Sequence, residues 1–270
     1  MRQQQSITFI GSGNVATILA KNFYTKGFRI NQIISRNIDN AKKLAEKVSA
    51  NSFSDNISLL TDDADFFIIS IPDDAIFSVI EHFPFCLTDT QIVMHTSGSF
   101  DEKELQNISK NYGCFYPLQT FTKNSDFEMV KTPLLYNGNS DFTCKKIVDL
   151  TEKTGLKSFY IQHDERQKLH VAAVLANNFT NHLLSLAQNY CIKNHLDFQL
   201  LWPLIEEGIH KAKNIGPVMA QTGPAKRKDV KTINKHLELI GNDDTLLHIY
   251  KILTNSINQL HHSHENPGRI

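Results

Sequence analysis

The residues best suited to chemistry stand near the start of the chain, in Ser6-Ile7-Thr8-Phe9-Ile10-Gly11-Ser12-Gly13-Asn14-Val15-Ala16. A β-branched apolar run breaks at Gly11-x-Gly13-x-x-Ala16, and apolar residues at helical spacing follow at once (Val15, Ile18, Leu19, Phe23). Strand, tight glycine turn and helix N-terminus in that order make a cradle for a diphosphate. Gly11 permits the turn, Gly13 leaves no Cβ between backbone and anion, and Ala16 lets the helix lie close to the strand. The N–H groups of Gly13, Asn14 and Val15, with Ser12 beside them, then face the phosphates with the helix dipole behind them. The plainer alternative is an ordinary glycine turn; the strand before it and the helix after it favour a dinucleotide.

The next strand, over 30–35, ends where such a fold reads the ribose. An NAD site wants Asp or Glu there to accept from the 2′-OH. This chain has Ser35-Arg36-Asn37, with Lys42 and Lys43 in the following helix. A carboxylate is missing and a guanidinium is present, so a 2′-phosphate is accommodated and NADP is expected over NAD. Otherwise Arg36 is a solvated charge at a strand end.

Three further segments put small or polar groups just after a strand. They are Ser70-Ile71-Pro72-Asp73-Asp74, His95-Thr96-Ser97-Gly98-Ser99 and Tyr116-Pro117-Leu118-Gln119-Thr120-Phe121. Ligands of open α/β sheets bind at the carboxyl ends of strands. Ile71, Pro72, His95 and Ser97 are therefore expected on the cofactor side, while the Tyr116–Phe121 segment is left open between a site and a turn. A long helix further on carries His170, Asn177, Asn178, Asn181 and His182 on an apolar background. His170, Asn177 and Asn181 fall on one helical stripe, with Asn178 at its border. Buried amides and imidazoles need partners. The catalytic expectation is that His170 passes a proton while Asn178 or Asn181 holds a substrate carbonyl. A polar seam at a dimer interface is the rival. The donor-rich loop 221–229 either closes over an anionic substrate or caps the next helix, and the sequence leaves that open.

The elements that position these residues follow from periodicity. Strands alternate with helices over residues 6–161, which implies a doubly wound, mainly parallel sheet. From 164 onward the apolar period is helical, with helices expected over 165–194, 196–213, about 226–240 and 244–260. The fold class is thus α/β: an N-terminal Rossmann-type domain over 1–162 and an all-α domain over 163–270 for substrate binding and dimerisation. At 270 residues, 41% hydrophobic and 21% charged, the chain can bury a sizeable core. Lys+Arg and Asp+Glu both number 28, so no net field points to nucleic acid or an anionic membrane. Cys86, Cys114, Cys144 and Cys191 lack metal-ligand or CxxC spacing and read as reduced cytoplasmic thiols. The start shows no leader pattern, and no apolar stretch reaches a membrane span. The histidine-bearing tail from His261 to Pro267 reads as a frayed polar end that can pick up adventitious metal; no built metal site is expected. P-loop, HExxH and GxSxG patterns are missing, against kinase, metalloprotease and hydrolase classes.

In sequence order, Gly11-Ser12-Gly13-Asn14-Val15-Ala16, Ser35-Arg36, Ile71-Pro72-Asp73-Asp74, His95-Thr96-Ser97-Gly98, Tyr116-Pro117-Leu118-Gln119-Thr120-Phe121, Ala173 to Asn181 and Thr222-Gly223-Pro224 span essentially the whole chain. Together they resemble a bacterial family of Rossmann-like predicted oxidoreductases with a C-terminal helical domain of unknown function. More distantly the chain is similar to pyrroline-5-carboxylate reductase, ketopantoate reductase and the β-hydroxyacid dehydrogenases. The resemblance implies NADP binding in the first domain, dimerisation through the helical one, and an active site in the cleft between domains. The β-hydroxyacid dehydrogenases use a lysine followed one turn later by an asparagine; here Lys168 is followed by Ala172 at that spacing, so the catalytic lysine does not transfer. The leading reading is an NADP-dependent oxidoreductase acting on a small carbonyl, imine or hydroxy acid as a cytoplasmic homodimer. Its rival is a silent NADP(H)-binding dimer that senses or regulates. A methyltransferase would carry an acid in place of Arg36.

Overall fold

The computed structural model describes residues 4–123 and 129–262 as two compact units, one ending at Val174 and the other starting at Leu175. The tail beyond His262 expected to fray lies outside the described residues. In the first unit eight strands form one sheet: β1 (Ser6–Ile10), β2 (Arg29–Ile34), β3 (Ser52–Ser54), β4 (Phe66–Ile69), β5 (Ile92–His95), β6 (Tyr112–Pro117), β7 (Pro133–Gly138) and β8 (Lys157–Tyr160). Their order is β3-β2-β1-β4-β5-β6-β7-β8. Helices α1 (Asn14–Thr25), α2 (Ile38–Lys47), α3 (Asp73–Glu81), α4 (Asp141–Thr154) and α5 (His163–Ala173) accompany the strands.

Parallel pairing explains the unbroken apolar strands. Phe66 and Ile68 enter one core with Phe9, Phe23 and Phe115, whereas Phe67 and Ile69 enter a second with Ile76, Val93 and Leu105. Alternate side chains point to opposite faces, and both faces are covered. The strand order switches direction between the parallel strands β1 and β4, so the carboxyl ends of these two strands open a crevice at the glycine turn.

At three points the chain differs from a plain alternation of parallel strands and helices. Strand β7 runs antiparallel to β6, with Phe115 opposite Tyr136, and β8 then runs parallel to β7. The apolar pair Leu59-Leu60 begins in a 3-10 turn at Ile57–Leu59, capped by Asn56, while the edge strand β3 is short and mostly polar. The unit boundary falls inside the long helix rather than at its start. Arg166 of α5 is fully buried against Glu102, Phe100 and Asn137, which fastens that helix to the sheet.

The second unit is helical throughout, as expected. After a π-helical stretch at Val174–Phe179 come α6 (Thr180–Lys193), α7 (Trp202–Ile215), α8 (Pro217–Ala220), α9 (Val230–Ile240) and α10 (Asp244–His262). Among its described residues only Cys191, Phe198 and Ala225 are buried. Leu175, Phe179, Leu200, Leu204, Ile209 and Met219 are exposed. No described helix is long and apolar enough to cross a membrane.

Candidate functional site

The turn after β1 is built for close approach of a ligand to backbone. Gly11 has φ +125°, and a Cβ there would stand 2.1 Å from the Ser70 carbonyl oxygen. No other residue type fits that position. Gly13 differs: a Cβ on it would meet nothing within 4 Å, so the space in front of the helix is open. Gly13 is the N-cap of α1, no side chain caps the helix, and its first turn holds no acidic residue. The leading N–H groups therefore present partial positive charge without a protein acceptor at the cap.

A cavity of about 620 Å³ adjoins this turn. Gly11, Ser12 and Gly13 form one wall, Ser35, Arg36 and Asn37 a second, and Ile71, Pro72 and Val79 a third. The Ser12 hydroxyl donates to Ser35 Oγ at 2.7 Å, which ties the turn to the end of β2. Asn37 caps α2 by accepting from the Asn40 N–H at 2.9 Å, which fixes the backbone beside Arg36. Lys123 and His82 also line the cavity, and the sequence reading missed both. Lys123 lies in a loop after β6, far along the chain, and nothing local marks it.

The loop after β5 is pinned rather than open. Ser97 Oγ donates to Asp73 Oδ2 at 2.8 Å and accepts from the N–H groups of Ser99 (3.0 Å) and Phe100 (2.9 Å). Thr96 Oγ1 donates to Ser70 Oγ at 3.1 Å. The expectation that His95 touches a cofactor needs correcting. Its side chain is fully buried, Nδ1 accepts from the Ser97 N–H at 3.1 Å, and the ring packs edge-on against Phe100. Burial, and then the positive charge of Arg166, hold its pKa well below the ordinary histidine value. At 4.0 Å from Glu102 the ring stays neutral and works as loop support. Ser97, Asn14 and Val15 likewise stand outside the cavity wall.

Two segments expected separately meet at Gly98. A Cβ at Gly98 would lie 2.6 Å from His170 Nδ1 and 3.0 Å from Tyr116 Cζ. The Tyr116 hydroxyl and His170 Nδ1 are hydrogen-bonded at 3.0 Å, and the rings pack edge to face. The helix that carries His170 is seated by Arg166, one turn earlier. Arg166 Nη2 donates to the Phe100 carbonyl at 2.7 Å and pairs with Glu102 Oε2 at 2.9 Å. Gln167 Nε2 donates to the Ser99 carbonyl at 3.1 Å. Nothing local in the sequence marks Arg166 and Glu102, because isolated charges ordinarily read as solvated.

The expected polar stripe is also altered. A π-turn closes its hydrogen bonds one residue later than an α-turn, so the stretch at Val174–Phe179 changes the azimuth of everything after His170. The count that placed Asn177 and Asn181 on the His170 stripe does not hold. Asn177, Asn178 and Asn181 belong to the second unit, where all are exposed.

Residues 6–97 match the family described as "NADP oxidoreductase coenzyme F420-dependent", and residues 132–257 match a domain of unknown function, DUF2520. A solved Bacteroides fragilis protein, given as a "putative NADP oxidoreductase", is 32% identical with a TM-score of 0.90; the match covers 95% of this chain and 98% of that one. A reductive aminase from Aspergillus terreus, solved with NADPH and ethyl levulinate, shares the fold at 14% identity and a TM-score of 0.70, covering 95% of each chain. A pyrroline-5-carboxylate reductase from Coxiella burnetii does so at 16% identity and 0.57, covering 96% of this chain and 99% of that one. No curated protein sequence matches the chain.

Proposed function

Since the chain belongs to the family of the Bacteroides fragilis protein, and its own residues 6–97 and 132–257 match an NADP oxidoreductase family and DUF2520, we propose that it is an NADP-dependent oxidoreductase of a small carbonyl, imine or hydroxy-acid substrate. Its cofactor is NADP. The observation that carries this reading is the glycine turn: backbone at Gly11 pressed against Ser70, open space at Gly13, and Arg36 on the wall of the same cavity. Gly11, Ser12, Gly13 and the start of α1 would hold the diphosphate, with Ser35 and Arg36 at the 2′-phosphate. When bound, NADP(H) supplies or accepts the hydride. The protein's part is to hold the substrate and to manage the proton. His170 is the proton-handling group on this reading.

The second unit is completed by a second copy of the chain. Among its described residues few side chains are buried, while Leu175, Phe179 and Leu204 are exposed. Burial of such faces between two copies is what an obligate dimer supplies. A silent NADP(H) sensor is the competing reading, favoured by the loss of the lysine–asparagine pair at Lys168 and Ala172. Nicotinamide absorbance with candidate substrates separates the two.

Fluorescence titration with NADPH and NADH tests the cofactor assignment. A charge-assisted phosphate contact contributes about 1.5–3 kcal/mol. Arg36→Ala should therefore weaken NADPH binding by about an order of magnitude or more and leave NADH binding nearly unchanged. Equal losses for the two nucleotides would remove Arg36 from the phosphate.

A further inference from the structure

We propose that Tyr116 is the proton-donating residue of the reaction, with His170 as the group that positions and recharges it, and that the substrate is one whose reduction takes a proton as well as a hydride. This rests on the oxidoreductase reading above and narrows its substrate class.

The geometry is specific. Tyr116 stands near the end of β6, at the carboxyl edge of the sheet, where β5 and β6 run parallel. A run of contacts leads there from the glycine turn: Gly11 against the Ser70 carbonyl, the Ser70 hydroxyl bonded to Thr96, and Gly98 flush against Tyr116 and His170. The missing Cβ at Gly98 is what lets the two rings meet. Both rings are half-buried. Seen alone, the imidazole is a poor candidate for direct contact with substrate, because its Nδ1 is already committed to the phenol. Through that bond the phenol is the reactive end. Burial keeps the Tyr116 hydroxyl protonated by raising its pKa above the usual tyrosine value. Cys114, Arg166 and Asp73 are the other titratable or charged groups acting on it.

The substrate class follows from proton balance. A carbonyl carbon that takes a hydride from NADPH pushes its π pair onto oxygen. That oxygen takes the phenolic proton of Tyr116, and the phenolate oxygen takes a proton from the His170 imidazolium. The products are the alcohol, NADP and a neutral imidazole, which recovers its proton from solvent. An iminium ion already carries its proton and yields a neutral amine without a donor. A phenol–imidazole pair at this place has work to do only where the accepting atom needs a proton, the oxygen of a carbonyl or the nitrogen of a neutral imine.

Two measurements test the proposal. In the cofactor-free protein, long-range proton–nitrogen NMR of the imidazoles, with His170 assigned from His170→Gln, should show His170 Nδ1 protonated and donating to the phenol. Tyr116→Phe should shift that resonance and leave Nε2 nearly in place; an unmoved Nδ1 overturns the pair. Turnover is then followed with NADPH and a panel of pyruvate, glyoxylate, cyclohexanone and the cyclic imine pyrroline. The wild type should reduce a carbonyl compound or the neutral imine, and Tyr116→Phe should lower kcat by about a hundredfold or more. KM and NADPH affinity should stay within about twofold. An unchanged kcat in Tyr116→Phe, or reduction of nothing while NADPH still binds, overturns the proposal and spares the cofactor reading. A wild type that binds no NADPH overturns the cofactor reading and this proposal with it.

Discussion

Arg166→Met removes a charge from the interior while keeping most of the side-chain stem. Arg166 is fully buried and its partner Glu102 nearly so, with Nη2 2.9 Å from Glu102 Oε2. The same nitrogen donates to Phe100 O at 2.7 Å, and Nη1 donates to Asn137 Oδ1 at 3.3 Å. Solvent does not screen this pair, and the variant leaves a buried carboxylate with Asn137, His163 and His95 as its remaining neighbours. Breaking a buried pair by removing one member costs about 3–5 kcal/mol, most of it the unpaired charge. Removing both, as Arg166→Met with Glu102→Leu, should cost less than Arg166→Met alone, because no charge is stranded. Urea unfolding followed by circular dichroism reads both variants. A single-variant loss below about 1 kcal/mol, or a double variant whose loss equals the sum of the singles, would refute the claim that this pair fastens α5 to the sheet.

Two further outcomes follow from the same structure. His95 is neutral in the fold and takes a proton in the unfolded chain below an ordinary value near 6.5. Its folded pKa is depressed, so its contribution is present above that value and declines as the pH falls below it. His95→Gln should flatten that part of the pH–stability curve, and an unchanged acid limb would show that His95 is not the group responsible. Static light scattering should give twice the mass of the chain, and Leu204→Glu, placed on an exposed apolar face of α7, should shift the protein toward monomer. A wild-type monomer would end the argument from the exposed apolar side chains of the second unit.

Local patterns in the sequence determined the framework of this protein. The turn at Gly11 and Gly13, the strands near 7–10, 66–69 and 92–95, and the helical C-terminal third all follow from neighbouring residues, because a strand's or helix's period is written in adjacent side chains. The cavity wall was legible for the same reason: Ser12, Ser35, Arg36, Ile71 and Pro72 each sit just beyond a strand, and a parallel sheet gathers those ends together. Tertiary structure alone decided the rest. It turned His95 inward, because the depth of a strand end depends on what packs over it. Its π-turn undid the stripe of His170, Asn177 and Asn181, since a single added residue in a helical turn leaves no mark on composition. Only the fold pairs Arg166 with Glu102, and only the fold brings Tyr116 to His170 across Gly98. Those partners are far apart in sequence, and what selects them is the space left when the sheet closes.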